Sequence, residues 1–133
     1  MTLNFELKHS TPQKEAVLLF HGMTGSPFEM KKYGQYLHSL GFDVYAYCLP
    51  GHGIYAQDIL KVTYLDWQNS AYRQFELLYS KYDKVFVAGL CLGAVLCLAI
   101  AIKYQEKVAG IISLSTTSFT AFTISCAKFK LIL

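Results

Sequence analysis

From Val85 to Ile102 the chain reads VFVAGLCLGAVLCLAIAI, with no charged residue. A run of about 18 apolar residues is at the lower limit for crossing a bilayer as a helix. Two glycines, Gly89 and Gly93, interrupt it, and the composition differs on either side. Lys84 to Gly89 is β-branched and aromatic, as a buried strand is, whereas Ala94 to Ile102 is rich in Ala and Leu, as a helix is. The stretch therefore reads as strand, tight turn and helix, with Cys91 at the turn. The competing reading, a membrane span, would make these residues one unbroken helix.

The flanking sequence repeats this alternation. Ala16 to Phe20 (AVLLF) is a short apolar run ending at His21-Gly22, which predicts a buried strand. Ser26-Pro27-Phe28-Glu29 has the form of a capping box, predicting a helix to about Leu40 with Gly41 as its stop. Phe42 to Leu49 predicts a second strand, closed by Pro50-Gly51-His52-Gly53. Thr63 and Asp66 mark another helix start, running to about Ser80. Val85 to Leu90, Leu92 to Tyr104 and Val108 to Leu114 then predict strand, helix and strand. Phe5 to Lys8 adds an antiparallel edge strand. Residues 116–133 show neither period, and their structure is left open.

Strands alternating with helices imply an α/β fold, a mainly parallel sheet with helices on both faces. Hydrophobic residues make up 53% and charged residues 16%, a balance that suits strands buried on both sides. The 133 residues suffice for a single domain. The net charge of +3 is spread thinly: Lys31-Lys32 is the only adjacent basic pair and Arg73 the only arginine. Nucleic-acid binding, which shows as a clustered basic patch, is not expected. Cys48, Cys91, Cys97 and Cys126 have neither C-x-x-C spacing nor a histidine cluster, so no metal or other cofactor is expected. A nucleotide-binding domain would need G-x-G-x-x-G or a P-loop lysine, which the chain lacks. MTLNFELKHS has no signal-peptide pattern, so a cytoplasmic location with free thiols is the expectation. The sequence sets no oligomeric state.

In open parallel sheets, ligands bind at the carboxyl ends of the strands. Three short motifs fall there in order: His21-Gly22-Met23-Thr24-Gly25, Pro50-Gly51-His52-Gly53 and Gly89-Leu90-Cys91-Leu92-Gly93. Together with LLFHGMTGSP (Leu18 to Pro27), LPGHG (Leu49 to Gly53), Tyr64-Leu65-Asp66-Trp67 and VFVAGLCLGA (Val85 to Ala94), they resemble the first part of an α/β-hydrolase. The similarity is to the carboxylesterase and monoacylglycerol-lipase-like group, and it covers about Ala16 to Ser115. It implies a nucleophile elbow at G-x-C-x-G, with Cys91 in the position usually held by serine. Gly89 and Gly93 would flank it because side chains there collide across the turn. By the same resemblance, the backbone N–H groups of Met23 and Leu92 form an oxyanion hole. His21 and Gly22 shape the loop that carries Met23. A helix N-terminus favours negative charge and raises the thiolate fraction of a cysteine placed there. The implied activity is carboxylic-ester hydrolysis on a small acyl ester or monoacylglycerol.

Each of these residues has a plainer reading. Cys91 competes as an inert buried cysteine, a description that fits Cys97 and Cys48 better. His52 reads as a turn residue, His38 as a solvated helix residue, and Trp67 as packing. In the family order, the acid and the histidine follow the nucleophile. All four histidines, His9, His21, His38 and His52, precede Cys91, and Glu106 is the only acid after it. The resemblance thus implies an incomplete domain, truncated after the fourth parallel strand at Val108 to Leu114, and an inactive chain. The alternatives are a non-catalytic remnant or binding scaffold, and a small membrane-associated protein.

Overall fold

A computed structural model describes residues 3–115 and 131–132. Its strands are β1 (Phe5–Leu7), β2 (Glu15–Phe20), β3 (Asp43–Ala46), β4 (Lys84–Leu90), β5 (Val108–Leu114) and β6 (Leu131–Ile132). Its helices are α1 (Lys31–Ser39), α2 (Tyr64–Tyr79) and α3 (Leu92–Tyr104). The run Val85 to Ile102 is divided between β4 and α3, as the glycines predict. Among the described residues, no helix is long and apolar enough to cross a membrane.

The strands form one sheet in the order β1-β3-β2-β4-β5-β6. β1 is antiparallel to β3, and the remaining pairs are parallel. β2 lies inside the sheet, which explains its continuous apolar sequence: both of its faces are covered. Val17 and Leu19 pack with Met30 and Leu37 on the α1 side. Ala16, Leu18 and Phe20 pack with Phe75, Leu78, Leu96 and Ile100 on the α2 and α3 side. Phe75, Leu96 and Ile100 are wholly enclosed.

Local signals end the helices where expected. Gly41 adopts φ +100°, and its N–H donates to His38 O at 3.0 Å. At the start of α2, the Thr63 N–H donates to Asp66 Oδ2 at 2.7 Å, closing that capping box. The Ser26 box does not form. A 3-10 turn, Pro27–Met30, intervenes before α1, Ser26 makes no side-chain cap, and the Glu29 carboxylate is used elsewhere.

Two further departures from the sequence reading lie at strand ends. The second strand ends at Ala46 rather than Leu49, because Cys48 and Leu49 turn their N–H groups to the side chains of Asn4 and His21. β5 is not the last strand: Leu131–Ile132 pairs with Ile111 and Ile112 and occupies part of that edge. Residues 116–130, including Cys126, lie outside the described residues.

The sheet order places the site. After β2 the chain moves to β3 on one side, and α2 then returns it to β4 on the other side of β2. The direction of winding reverses between β2 and β4. At such a switch point the loops leaving neighbouring strands run to opposite faces and open a crevice. Here those loops begin at His21 and Cys91.

Candidate active site

Cys91 follows the last residue of β4 and precedes the first residue of α3. Its backbone adopts φ 53° and ψ −110°. A non-glycine residue held at positive φ costs on the order of 1–3 kcal/mol and persists only where the surroundings enforce it. The enforcing contacts are visible on both sides. The Cys91 N–H donates to Leu114 O at 3.0 Å, tying the turn to β5, and the Ala94 N–H donates to Cys91 O at 3.0 Å, starting the helix. A Cβ on Gly89 would sit 2.6 Å from the Ala94 nitrogen and closer still to the Gly93 carbonyl. A Cβ on Gly93 would sit 2.7 Å from the Phe20 carbonyl carbon. Both glycines are therefore required by backbone approach, Gly89 to α3 and Gly93 to β2.

Leu92 opens α3, so no helical carbonyl lies behind it to accept its N–H. Gly22 faces Cys91 across the crevice: a Cβ built on Gly22 would lie 3.7 Å from the Cys91 Cβ. Met23, the next residue, is exposed, as is Phe28, while Leu90 is half-buried and Leu92 buried. Cys91 itself is half-buried.

The loop from His21 to Gly25 is held from several directions. His21 is buried, and its Nε2 accepts the Leu49 N–H at 3.0 Å. Nε2 is therefore the unprotonated nitrogen, and Nδ1 donates to Gly22 O at 2.9 Å. Burial pushes the His21 imidazole below its ordinary pKa; the hydrogen bond to Gly22 opposes this and nearby His52 adds to it. Both nitrogens are thus engaged within the loop. His52 packs edge-on against His21, with ring centroids 4.8 Å apart. Its Nε2 lies 2.5 Å from Met23 O and its Nδ1 3.1 Å from Pro50 O. Trp67 Nε1 donates to the same Pro50 carbonyl at 2.8 Å. Trp67, read from the sequence as packing alone, also fixes the Pro50 turn.

His9 and His38 lie at the other end of the sheet. His9 Nδ1 is 3.0 Å from Asp43 Oδ1, at the first residue of β3, and its ring stacks on His38 with centroids 4.0 Å apart. None of the four histidines, all among the described residues, is hydrogen-bonded to Cys91. His38 is half-buried rather than a solvated helix residue. Among the described residues, no group of three His, Cys, Asp or Glu side chains could hold a metal ion.

The other described thiols differ from Cys91. Cys97 is fully enclosed in the core, and burial pushes its pKa well up. Burial also raises Cys48, whose Sγ donates to His52 O at 2.9 Å. Brief treatment with iodoacetamide at mildly acid pH is therefore expected to alkylate Cys91 before Cys48 and Cys97, as read by peptide mapping. Equal rates at the three sites would mean that the turn does not present Cys91.

A sequence profile of the alpha/beta hydrolase fold matches residues 15–129. The chain belongs to the α/β-hydrolase fold family and is similar to esterases and lipases within it. It is 32% identical over 102 residues to the thermostable monoacylglycerol lipase of Bacillus sp. strain H-257, covering 74% of this chain and 39% of that enzyme. It is 31% identical over 99 residues to a carboxylesterase of Bacillus subtilis strain 168, again over 74% and 39% of the two chains. A solved structure from a study of two metagenome-derived lipolytic enzymes, LipS and LipT, superposes with a TM-score of 0.75 at 28% identity. That match covers 83% of this chain and 44% of the other. The chain thus spans about two fifths of the length of these curated relatives.

Proposed function

We propose that the crevice between β2 and β4 is an acyl-transfer site of the carboxylic-ester hydrolase type, with Cys91 as its nucleophile. The observation that carries this reading is the enforced positive φ of Cys91 between two glycines that admit no side chain. A fold without need of an exposed group there gains nothing from that strain. In the proposed step, Cys91 Sγ as thiolate attacks the ester carbonyl carbon. A carbon–sulfur bond forms, the carbonyl oxygen becomes an oxyanion, and the N–H groups of Met23 and Leu92 stabilise it. The carbon–oxygen bond then breaks, the alkoxide leaves and takes a proton from solvent water, and a thioester remains for water to hydrolyse. Met23, Phe28, Leu90 and Leu92 suit a short or medium acyl chain, and the similarity to a monoacylglycerol lipase and a carboxylesterase supports ester substrates. Free thiols at Cys48, Cys91 and Cys97 fit a reducing compartment such as the cytoplasm.

Residues 1–133 by themselves do not turn over. His21 and His52 have their ring nitrogens against loop groups, and His9 and His38 are at the far end of the sheet. With no base to activate water, the thioester is not cleaved at an enzymatic rate. The same observation favours a second reading, a scaffold that binds acyl esters without catalysis. p-Nitrophenyl butyrate separates the readings, because p-nitrophenolate departs without a proton donor. The expected result is a single Cys91-dependent release, absent in Cys91→Ala, with no later turnover above that control. Sustained turnover would overturn the inactivity. No release beyond the control would overturn the nucleophile and leave the scaffold.

A further inference from the structure

The Glu29 carboxylate has left the cap position that its sequence predicts and folds back over the loop between β2 and α1. It accepts the Gly22 N–H in a short hydrogen bond. It also lies against Gly25, where any Cβ would overlap the carboxylate. A carboxylate so placed makes no cap for the helix. Its two partners are the residues that bracket Met23 and Thr24.

The peptide geometry gives the consequence. Gly22 contributes three groups to this corner. Its carbonyl accepts from His21 Nδ1 at 2.9 Å and from the Gly25 N–H at 3.2 Å. Its N–H is held by Glu29. Its α-carbon faces Cys91: a methyl group placed on it would lie 3.7 Å from both Leu90 O and the Cys91 Cβ. The C=O and N–H of a trans peptide point in opposite directions. Fixing Gly22 O therefore fixes the Met23 N–H, and fixing the Gly22 N–H fixes the peptide before it. On the far side, His52 holds Met23 O at 2.5 Å. Loops without such ties move freely. Here the loop lies on the surface, with Met23 and Thr24 exposed, so its ties decide its geometry.

We infer that Glu29 is a positioning residue for the oxyanion hole: by holding the Gly22 N–H it fixes the His21–Gly22 peptide, and so the place of the Gly22 α-carbon from which the next peptide, held at Gly22 O by His21 and Gly25, aims the Met23 N–H toward an acyl group on Cys91. This rests on the acyl-transfer reading of Cys91. Glu29 takes no proton and touches no substrate. Its effect is confined to steps that develop an oxyanion.

Two reactions of the same thiol separate that effect from a general one. Acylation of Cys91 by p-nitrophenyl butyrate passes through an oxyanion; alkylation by iodoacetamide is a displacement at carbon and does not. Both rates are measured on residues 1–133 as wild type, Glu29→Ala and Glu29→Gln, with Cys91→Ala as background. In Glu29→Ala, acylation is expected to fall about tenfold or more, the scale of a misdirected oxyanion donor. Alkylation is expected to stay within about twofold, inside the scatter of a surface change. Glu29→Gln, whose amide oxygen still accepts the Gly22 N–H, is expected to recover most of the acylation rate. Parallel loss of both reactions, or no loss of acylation, overturns the proposal. If wild-type Cys91 is not acylated at all, the acyl-transfer reading has failed. The Gly22 and Met23 amide resonances then decide the positioning role. Both should shift in Glu29→Ala and return in Glu29→Gln; unchanged Met23 resonances overturn it.

Discussion

Gly93→Ala is expected to destabilise the protein by about 3 kcal/mol or more, because overpacking against backbone cannot be relieved by a rotamer change. The new methyl would meet the Phe20 carbonyl carbon at 2.7 Å and the Phe20 Cβ at 2.8 Å. To make room, α3 must move off β2, which breaks the packing of Leu96 and Ile100 against Leu18 and Phe20. For a domain of this size the loss corresponds to a fall in Tm of about 10 °C. Gly53→Ala is the control: nothing lies within 4 Å of a Cβ there, and its φ is not positive. Thermal unfolding of the two variants checks the expectation. Equal midpoints would mean that α3 does not approach β2 as closely as described.

Asp43 should be the second large effect. Its carboxylate is almost enclosed at the start of β3. It accepts from the His9 N–H at 2.9 Å, faces His9 Nδ1 at 3.0 Å, and accepts from Tyr82 OH at 2.8 Å. Tyr45 extends the network, its hydroxyl 2.6 Å from that of Tyr82. Burial by itself would raise the Asp43 pKa, but the hydrogen bonds from His9 and Tyr82 outweigh it and hold the carboxyl below its ordinary value. Removing one member of a buried charged network costs about 3 kcal/mol. Asp43→Ala is expected to lose that much at neutral pH by urea unfolding. The sign of the pH dependence follows from the lowered pKa. The ionised form binds its partners in the folded state, so the stabilisation is present above the ordinary carboxylate value of about 3.9. It is lost as pH falls through that value toward the lower folded one. The gap between wild type and Asp43→Ala should therefore narrow by about pH 3. A gap independent of pH would mean that the charge contributes nothing and only packing was lost.

The Asp43 network was invisible in the sequence for a definite reason. Its partners His9 and Tyr82 lie 34 and 39 residues away. Neither spacing is a helical or strand period, and no short motif links the three. Only the order of strands, with β1 antiparallel to β3, brings the segment after β1 to the first residue of β3. β6 was unreadable for a similar reason: two residues are too few to show a period. The histidines were half legible. The positions of His21 and His52 after strands were clear, but that both nitrogens of His21 are engaged follows from Leu49 reaching back across 28 residues.

What the sequence determined by itself was whatever depends on neighbours within about one helical turn. β4, the turn at Cys91, and α3 fall where their composition and two glycines put them, with α3 and β5 beginning and ending at the residues expected. The Thr63 and Asp66 start of α2 held because both partners lie within one turn and nothing else competes for them. The Ser26 and Glu29 start has the same spelling and failed. There the fold brings a second claimant, the Gly22 N–H, within reach of the carboxylate, and a part-buried amide beside Cys91 binds it in place of the helix end. Tertiary structure alone made that choice, because a side chain with two possible partners goes to the one that water solvates less well.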